Sequence, residues 1–110
     1  MSEASAPAPQ PDAPLKRRLV GHVMVGRPTP AGQRRVVVEA SIEGVHQTLE
    51  QSGVIIVGST RVWTRAAEAP PLSTADDVLA AMAKVTREPG ALAALVDAWT
   101  AVRELRGSVS

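Results

Sequence analysis

The chain has 110 residues, rich in Ala (18), Val (15) and Leu (8), with two Trp and no Cys, Phe or Tyr. That length supports one hydrophobic core, which these residues must build from small and branched aliphatic side chains. The lack of Cys excludes disulfide staples, thiolate nucleophiles and Cys-ligated metals. It also fits a reducing compartment, so a cytoplasmic location is expected. The net charge of +1 hides an asymmetry: residues 1–13 carry −2, residues 14–65 carry +5 and residues 66–110 carry −2. The Ala-, Val- and Arg-rich, Lys-poor composition is of the kind encoded by GC-rich bacterial or phage genomes.

Residues 1–14 are Ala, Pro, Ser and acid, with prolines at 7, 9, 11 and 14. Such a segment buries too little apolar area to offset its ordering entropy, so a disordered tail is expected, followed by a single domain over 15–110. It lacks the basic start and apolar run of a secretory signal. The longest strongly apolar run, Val54–Val57, is far short of the ~20 residues that span a bilayer, so no membrane partner is expected.

Residues 18–65 carry strand signals. Leu19, Gly21, Val23 and Val25 alternate with Val20, His22, Met24 and Gly26, and a Pro- and Gly-containing turn is expected over 27–33. Val36, Val38, Ala40 and Ile42 then face one way, while Arg35, Val37, Glu39, Ser41 and Glu43 face the other. This is the period-two pattern of a strand with one buried face. Residues 45–50 fit either a third strand, with Val45, Gln47 and Leu49 inward, or one helical turn. Gln51-Ser52-Gly53 reads as a turn. Val54–Val57, apolar on both faces, and the alternating run to Arg65 read as the last strand region.

The period changes over residues 74–107. Thr74 is placed to cap a helix whose first turn holds Asp76 and Asp77. Val78, Leu79, Met82 and Val85 form its apolar stripe. Pro89 suits the first turn of a second helix, Leu92, Leu95, Val96, Trp99, Val102 and Leu105 form its stripe, and Gly107 is the expected C-terminal stop. The fold class is therefore α+β: an antiparallel sheet of three or four strands, then two packed antiparallel helices.

No motif points to catalysis, a metal or a cofactor. Gly21–Gly26 and Gly53–Gly58 have the glycine spacing of a phosphate loop, but neither is followed by the Lys-Ser/Thr pair, and the residues between are β-favouring. His22 and His46 lack ligand spacing, and no Gly-x-Ser-x-Gly elbow occurs. Two signals remain. Beyond the face covered by the helices, the sheet would still expose Val20, Met24, Val37, Ile55, Val57 and Trp63, more apolar surface than a monomer usually leaves in water. The expectation is a non-enzymatic interaction or assembly protein, a homo-oligomer or a subunit of a larger complex, with Val37, Ile55, Val57 and Trp63 as interface anchors. The alternative is a nucleic-acid-binding or regulatory protein whose basic patch comprises Arg17, Arg18, Arg34, Arg35, Arg61 and Arg65.

Overall fold

The computed structural model describes residues 16–29, 32–53 and 62–109. The expected tail, the Val54–Val57 run, the second glycine pair beyond Gly53, and Ile55, Val57 and Arg61 lie outside the described residues. Four strands, β1 (Arg18–Thr29), β2 (Gly32–Ser41), β3 (Gly44–Ser52) and β4 (Trp63–Glu68), form one antiparallel sheet in the order β1-β2-β3-β4. Two helices follow, α1 (Ala75–Lys84) and α2 (Pro89–Val109). The expected α+β class is the one observed.

The ambiguous stretch after Gly44 is a strand. It pairs with β2 on one side and β4 on the other, so its backbone groups are satisfied by two neighbours that a lone helical turn would lack. Several expected boundaries shift outward, because ladder pairing continues through residues that favour turns. Thr29 pairs with Gly32, so β1 and β2 run into the expected 27–33 turn. Gln51 and Ser52 pair with Thr64 and Trp63 instead of forming a turn. At this end Ser52 Oγ accepts from the Gln33 amide at 3.1 Å, extending the β2–β3 contact beyond the last backbone pair. Ile42, expected inward, sits with Glu43 in the tight β2–β3 turn and is exposed.

A bulge between Leu19 and Gly21 changes which residues of β1 face the helices. Val20, expected on the open face, packs against the core, whereas Leu19 shares a face with His22 and Met24 and is 64% exposed. The glycines of the first phosphate-loop-like pair, Gly21 and Gly26, lie within β1 and form no loop.

The core lies between one sheet face and the helices. Val38, Ala40 and Val45 from the sheet meet Val78 of α1 and Leu95, Ala98, Ala101 and Val102 of α2, all buried. α2 crosses β1, β2 and β3, and α1 packs on α2 after the short reversal at residues 85–88. The face of α2 against the sheet is rotated toward alanines: Ala98 is fully buried, while Val96, expected in the stripe, is 47% exposed. A small side chain at the contact lets the helix axis approach the sheet closely, and the larger residues then flank it. Thr74 caps α1 as expected, its Oγ1 accepting from the Asp77 amide at 3.1 Å. Gly107 does not stop α2, which continues to Val109; its φ is not positive, as a C-terminal glycine stop would require.

The passage from sheet to helices is anchored at the start of β3. After β4 the chain continues beside β3: the Ala69 amide donates to the Gln47 carbonyl, and Val45 and Leu72 exchange two backbone hydrogen bonds of 3.0 and 2.9 Å. Gly44 has φ +137, and a Cβ there would collide with the Leu72 carbonyl. Arg106 of α2 closes the same corner, donating to the Ile42 carbonyl at 2.8 Å and to the Ser73 carbonyl at 3.0 Å.

Two substitutions test this account by chemical denaturation. Gly44→Ala combines a strained φ with a backbone clash and is expected to cost at least ~2 kcal/mol. Gly107→Ala, in a helical position with open space around the glycine Cα, is expected to stabilise by up to about 1 kcal/mol.

Candidate interaction surface

The cross-strand register assigns side chains to the sheet face opposite the helices. β1 contributes Leu19, His22 and Met24, and β2 contributes Arg35, Val37, Glu39 and Ser41. From β3 come His46, Thr48, Glu50 and Ser52, and from β4 Trp63, Arg65 and Glu68. Val37 and Trp63, two of the expected anchors, therefore share this face with Met24, which is 45% exposed.

Ion pairs organise the face into two clusters. In the first, Arg35 and Glu50 are direct cross-strand partners, with Nε donating at 2.8 Å and Nη2 at 2.7 Å from the same carboxylate oxygen. The Arg35 guanidinium also lies over the Trp63 ring, 4.2 Å from its centroid. A stacked cation of this kind contributes about 0.5–1 kcal/mol and holds the indole in one orientation. In the second, Arg17 spans two carboxylates, donating to Glu68 at 3.1 Å and lying 3.6 Å from Glu39, while Arg65 approaches Glu68 at 3.4 Å. The Glu68 carboxyl is held below its ordinary value, first by the hydrogen bond from Arg17. The same bond raises the Arg17 guanidinium above its own.

Between these carboxylates lies His46, the cross-strand partner of Glu39 and only 1% exposed. Its Nε2 is 2.5 Å from the buried Ser41 hydroxyl, which also accepts from the Glu43 amide at 3.0 Å. His46 Nδ1 and the Thr48 hydroxyl are buried without a hydrogen-bond partner among the described residues. Desolvation pushes the imidazole below its ordinary value of 6.5, and the positive charge of Arg17 adds to that push. The geometry is that of a neutral structural histidine. His22, by contrast, is exposed on β1. Among the described residues no group of three or more His, Asp or Glu side chains is arranged to hold a metal.

The expected basic patch is divided between the two faces. Arg17, Arg35 and Arg65 belong to the open face, each with a carboxylate. Arg18 lies on the helix side, paired with Glu104 of α2 at 3.0 Å. Arg34 is exposed on that same side, at the far end, opposite Gln51.

A second apolar surface was not expected from the periodicity. Leu79 and Val96, both read as core, are 60% and 47% exposed and line a groove between α1 and α2 with Met82 and Trp99. The one sequence signal for it is the adjacent pair Val78-Leu79. Neighbours about 100° apart on a helix cannot both point at one packing partner; here Val78 is buried and Leu79 is left outside.

No family model matches this chain, and no curated protein or solved structure matches it either. Among the described residues, no helix is long and apolar enough to cross a membrane.

The buried imidazole predicts how stability depends on pH. The fold prefers neutral His46, so the unfolded chain takes up that proton first as the pH falls. Stability should be flat above the ordinary value of 6.5 and decline below it. Glu68 adds a second decline below its ordinary 4.5, where the unfolded chain again protonates first. His46→Gln should remove the first decline and leave the second, as read from urea unfolding midpoints between pH ~8 and ~4.

Proposed function

We propose that this chain is a non-enzymatic interaction or assembly protein, working in the cytoplasm as a homo-oligomer or as a subunit of a larger complex, and that it makes its contact through the sheet face opposite α1 and α2. The observation that carries this reading is the cluster of Trp63, Arg35, Val37 and Met24. Tryptophan and arginine are the residue types most enriched among interface hot spots, and here the Arg is already stacked and paired. Leu19 and Met24 add exposed apolar area beside them.

The charge arrangement favours a protein partner over a nucleic acid. Arg17, Arg18, Arg35 and Arg65 each have a carboxylate within the chain. To bind phosphates they would have to give up those partners, which reduces the net gain from each new contact. A face whose charges are internally matched loses less on desolvation than one with bare charges.

The test is size-exclusion chromatography with light scattering at low salt, recording absorbance at 260 and 280 nm. The expected result is a discrete nucleic-acid-free assembly, shifted toward lower mass by Trp63→Ala and by Met24→Glu but not by Arg34→Ala. Met24 is solvent-exposed, so Met24→Glu keeps the test decisive if Trp63→Ala fails to fold. A peak carrying nucleic acid that high salt strips away would overturn the reading in favour of the arginines. So would an assembly indifferent to Trp63 and Met24.

A further inference from the structure

Polar side chains are buried on the sheet face opposite α1 and α2, and at His46 the ladder shows what lies over them. Glu39 on β2 is the cross-strand partner of His46, and Glu68 on β4 is the cross-strand partner of Thr48. Both carboxylates hold the same guanidinium: Arg17 Nη2 is 3.1 Å from Glu68, and Nη1 is 3.6 Å from Glu39. Neighbouring strands stand ~4.8 Å apart, and β3 runs between β2 and β4. A group held from both of those strands lies over β3, at the rows of His46 and Thr48. Arg17 precedes β1, so the same bridge ties the start of β1 to β4, three strands away.

The imidazole under this bridge has no place for a second proton. It is only 1% exposed, its Nε2 meets Ser41 Oγ, and that oxygen already accepts from the Glu43 amide. Nδ1 has no partner among the described residues. An imidazolium carries N–H on both ring nitrogens, so while the bridge stands one of them would be buried without an acceptor, beside the Arg17 charge. The charged groups around the ring come from each neighbouring element: Arg17 ahead of β1, Glu39 on β2, Glu43 in the β2–β3 turn, and Glu68 on β4. Arg65 of β4 adds a second positive charge, 3.4 Å from Glu68, and β1 brings only the uncharged Leu19 to the row of Glu39. The carboxylates would attract an imidazolium, but Arg17 occupies two of the three. A charged His46 and Arg17 therefore compete for Glu39 and Glu68.

We infer that Arg17 and His46 form a proton-operated latch: a proton on His46 displaces the Arg17 guanidinium from Glu39 and Glu68 and unties the start of β1 from β4, while the core stays folded. The bridged state keeps the ring neutral, because burial first and the Arg17 charge second push it below its ordinary value of 6.5. The displaced state uncovers the ring and frees two carboxylates to receive it, so it binds the proton more tightly. Falling pH then moves the population toward it, and the latch is closed at neutral pH and opens below 6.5. Arg18, paired with Glu104 on the helix side, holds β1 in place when Arg17 leaves. Val38, Ala40 and Val45 face the helices and share no contact with the bridge.

Side-chain NMR on the full chain, titrated from pH ~8 to ~4, tests this. The nuclear Overhauser contacts between Arg17 and Glu68 should disappear with the same midpoint at which the His46 ring titrates, below 6.5. Through that midpoint the methyl signals of Val38 and Val102 should stay native, and so should the Arg35–Glu50 pair of the other cluster. In His46→Gln the Arg17–Glu68 contacts should persist until Glu68 itself titrates, below 4.5. Arg17→Gln, at a partly exposed position outside the strands, serves if His46→Gln fails to fold; there the His46 midpoint should move up toward 6.5. Three results each overturn the latch: Arg17–Glu68 contacts that survive protonation of His46, a His46 midpoint that Arg17→Gln leaves unmoved, or loss of the core methyl signals at that same midpoint.

Discussion

The fold depends on the crossing of two chain segments at Gly44. A four-stranded meander is by itself a curved sheet with two open faces, and it gains a core only if the following chain turns back over one of them. Here the turn is made by Leu72, which exchanges two backbone hydrogen bonds with Val45 directly over the glycine. Ser73 and Thr74 then release the chain into α1, and Arg106 ties the far end of α2 to both Ile42 and Ser73. The contact uses backbone groups and a residue with no side chain. It therefore sets the position of the helices before any core side chain is chosen.

Once the helices are seated, the sheet has two chemically different faces. One is an aliphatic core built around Ala40, Val45, Ala98 and Val102. The other carries paired charges around a buried imidazole and a stacked tryptophan. Polar groups there are satisfied largely across strands: Arg35 with Glu50, Arg17 with Glu39 and Glu68, Ser41 with His46. These pairs join β2, β3 and β4 by side chains as well as by the backbone ladder. The face opposite α1 and α2 thus holds its apolar members within a frame of paired charges.

The two exposed apolar regions arise from different causes. Leu19 is outside because a bulge in β1 turns Val20 inward in its place, whereas Met24 keeps the face its alternation gave it. Leu79 and Val96 are outside because α2 turns Leu95, Ala98, Ala101 and Val102 inward, which leaves Val96 in solvent, and because Val78 takes the buried position on α1. The two regions lie on opposite layers of the fold.

The local chemistry of the sequence was enough to determine most elements. Period-two alternation marked β2, the Thr74 cap with Asp76 and Asp77 marked the start of α1, and Pro89 marked the start of α2. These signals are local because hydrogen bonding and backbone preference act within a few residues. The α+β class followed from their order. Tertiary structure alone decided the rest. A bulge at Val20 exchanged the faces of Leu19 and Val20, ladder pairing overrode the turn preference of Gln51 and Ser52, and helix context overrode the stop at Gly107. The basic stretch looked like one patch because sequence shows charges without their partners. Folding brought Glu39, Glu50, Glu68 and Glu104 to Arg17, Arg35, Arg65 and Arg18 from up to 86 residues away. Burial and charge pairing depend on which distant segments meet, and a helical stripe or a run of arginines carries no record of that.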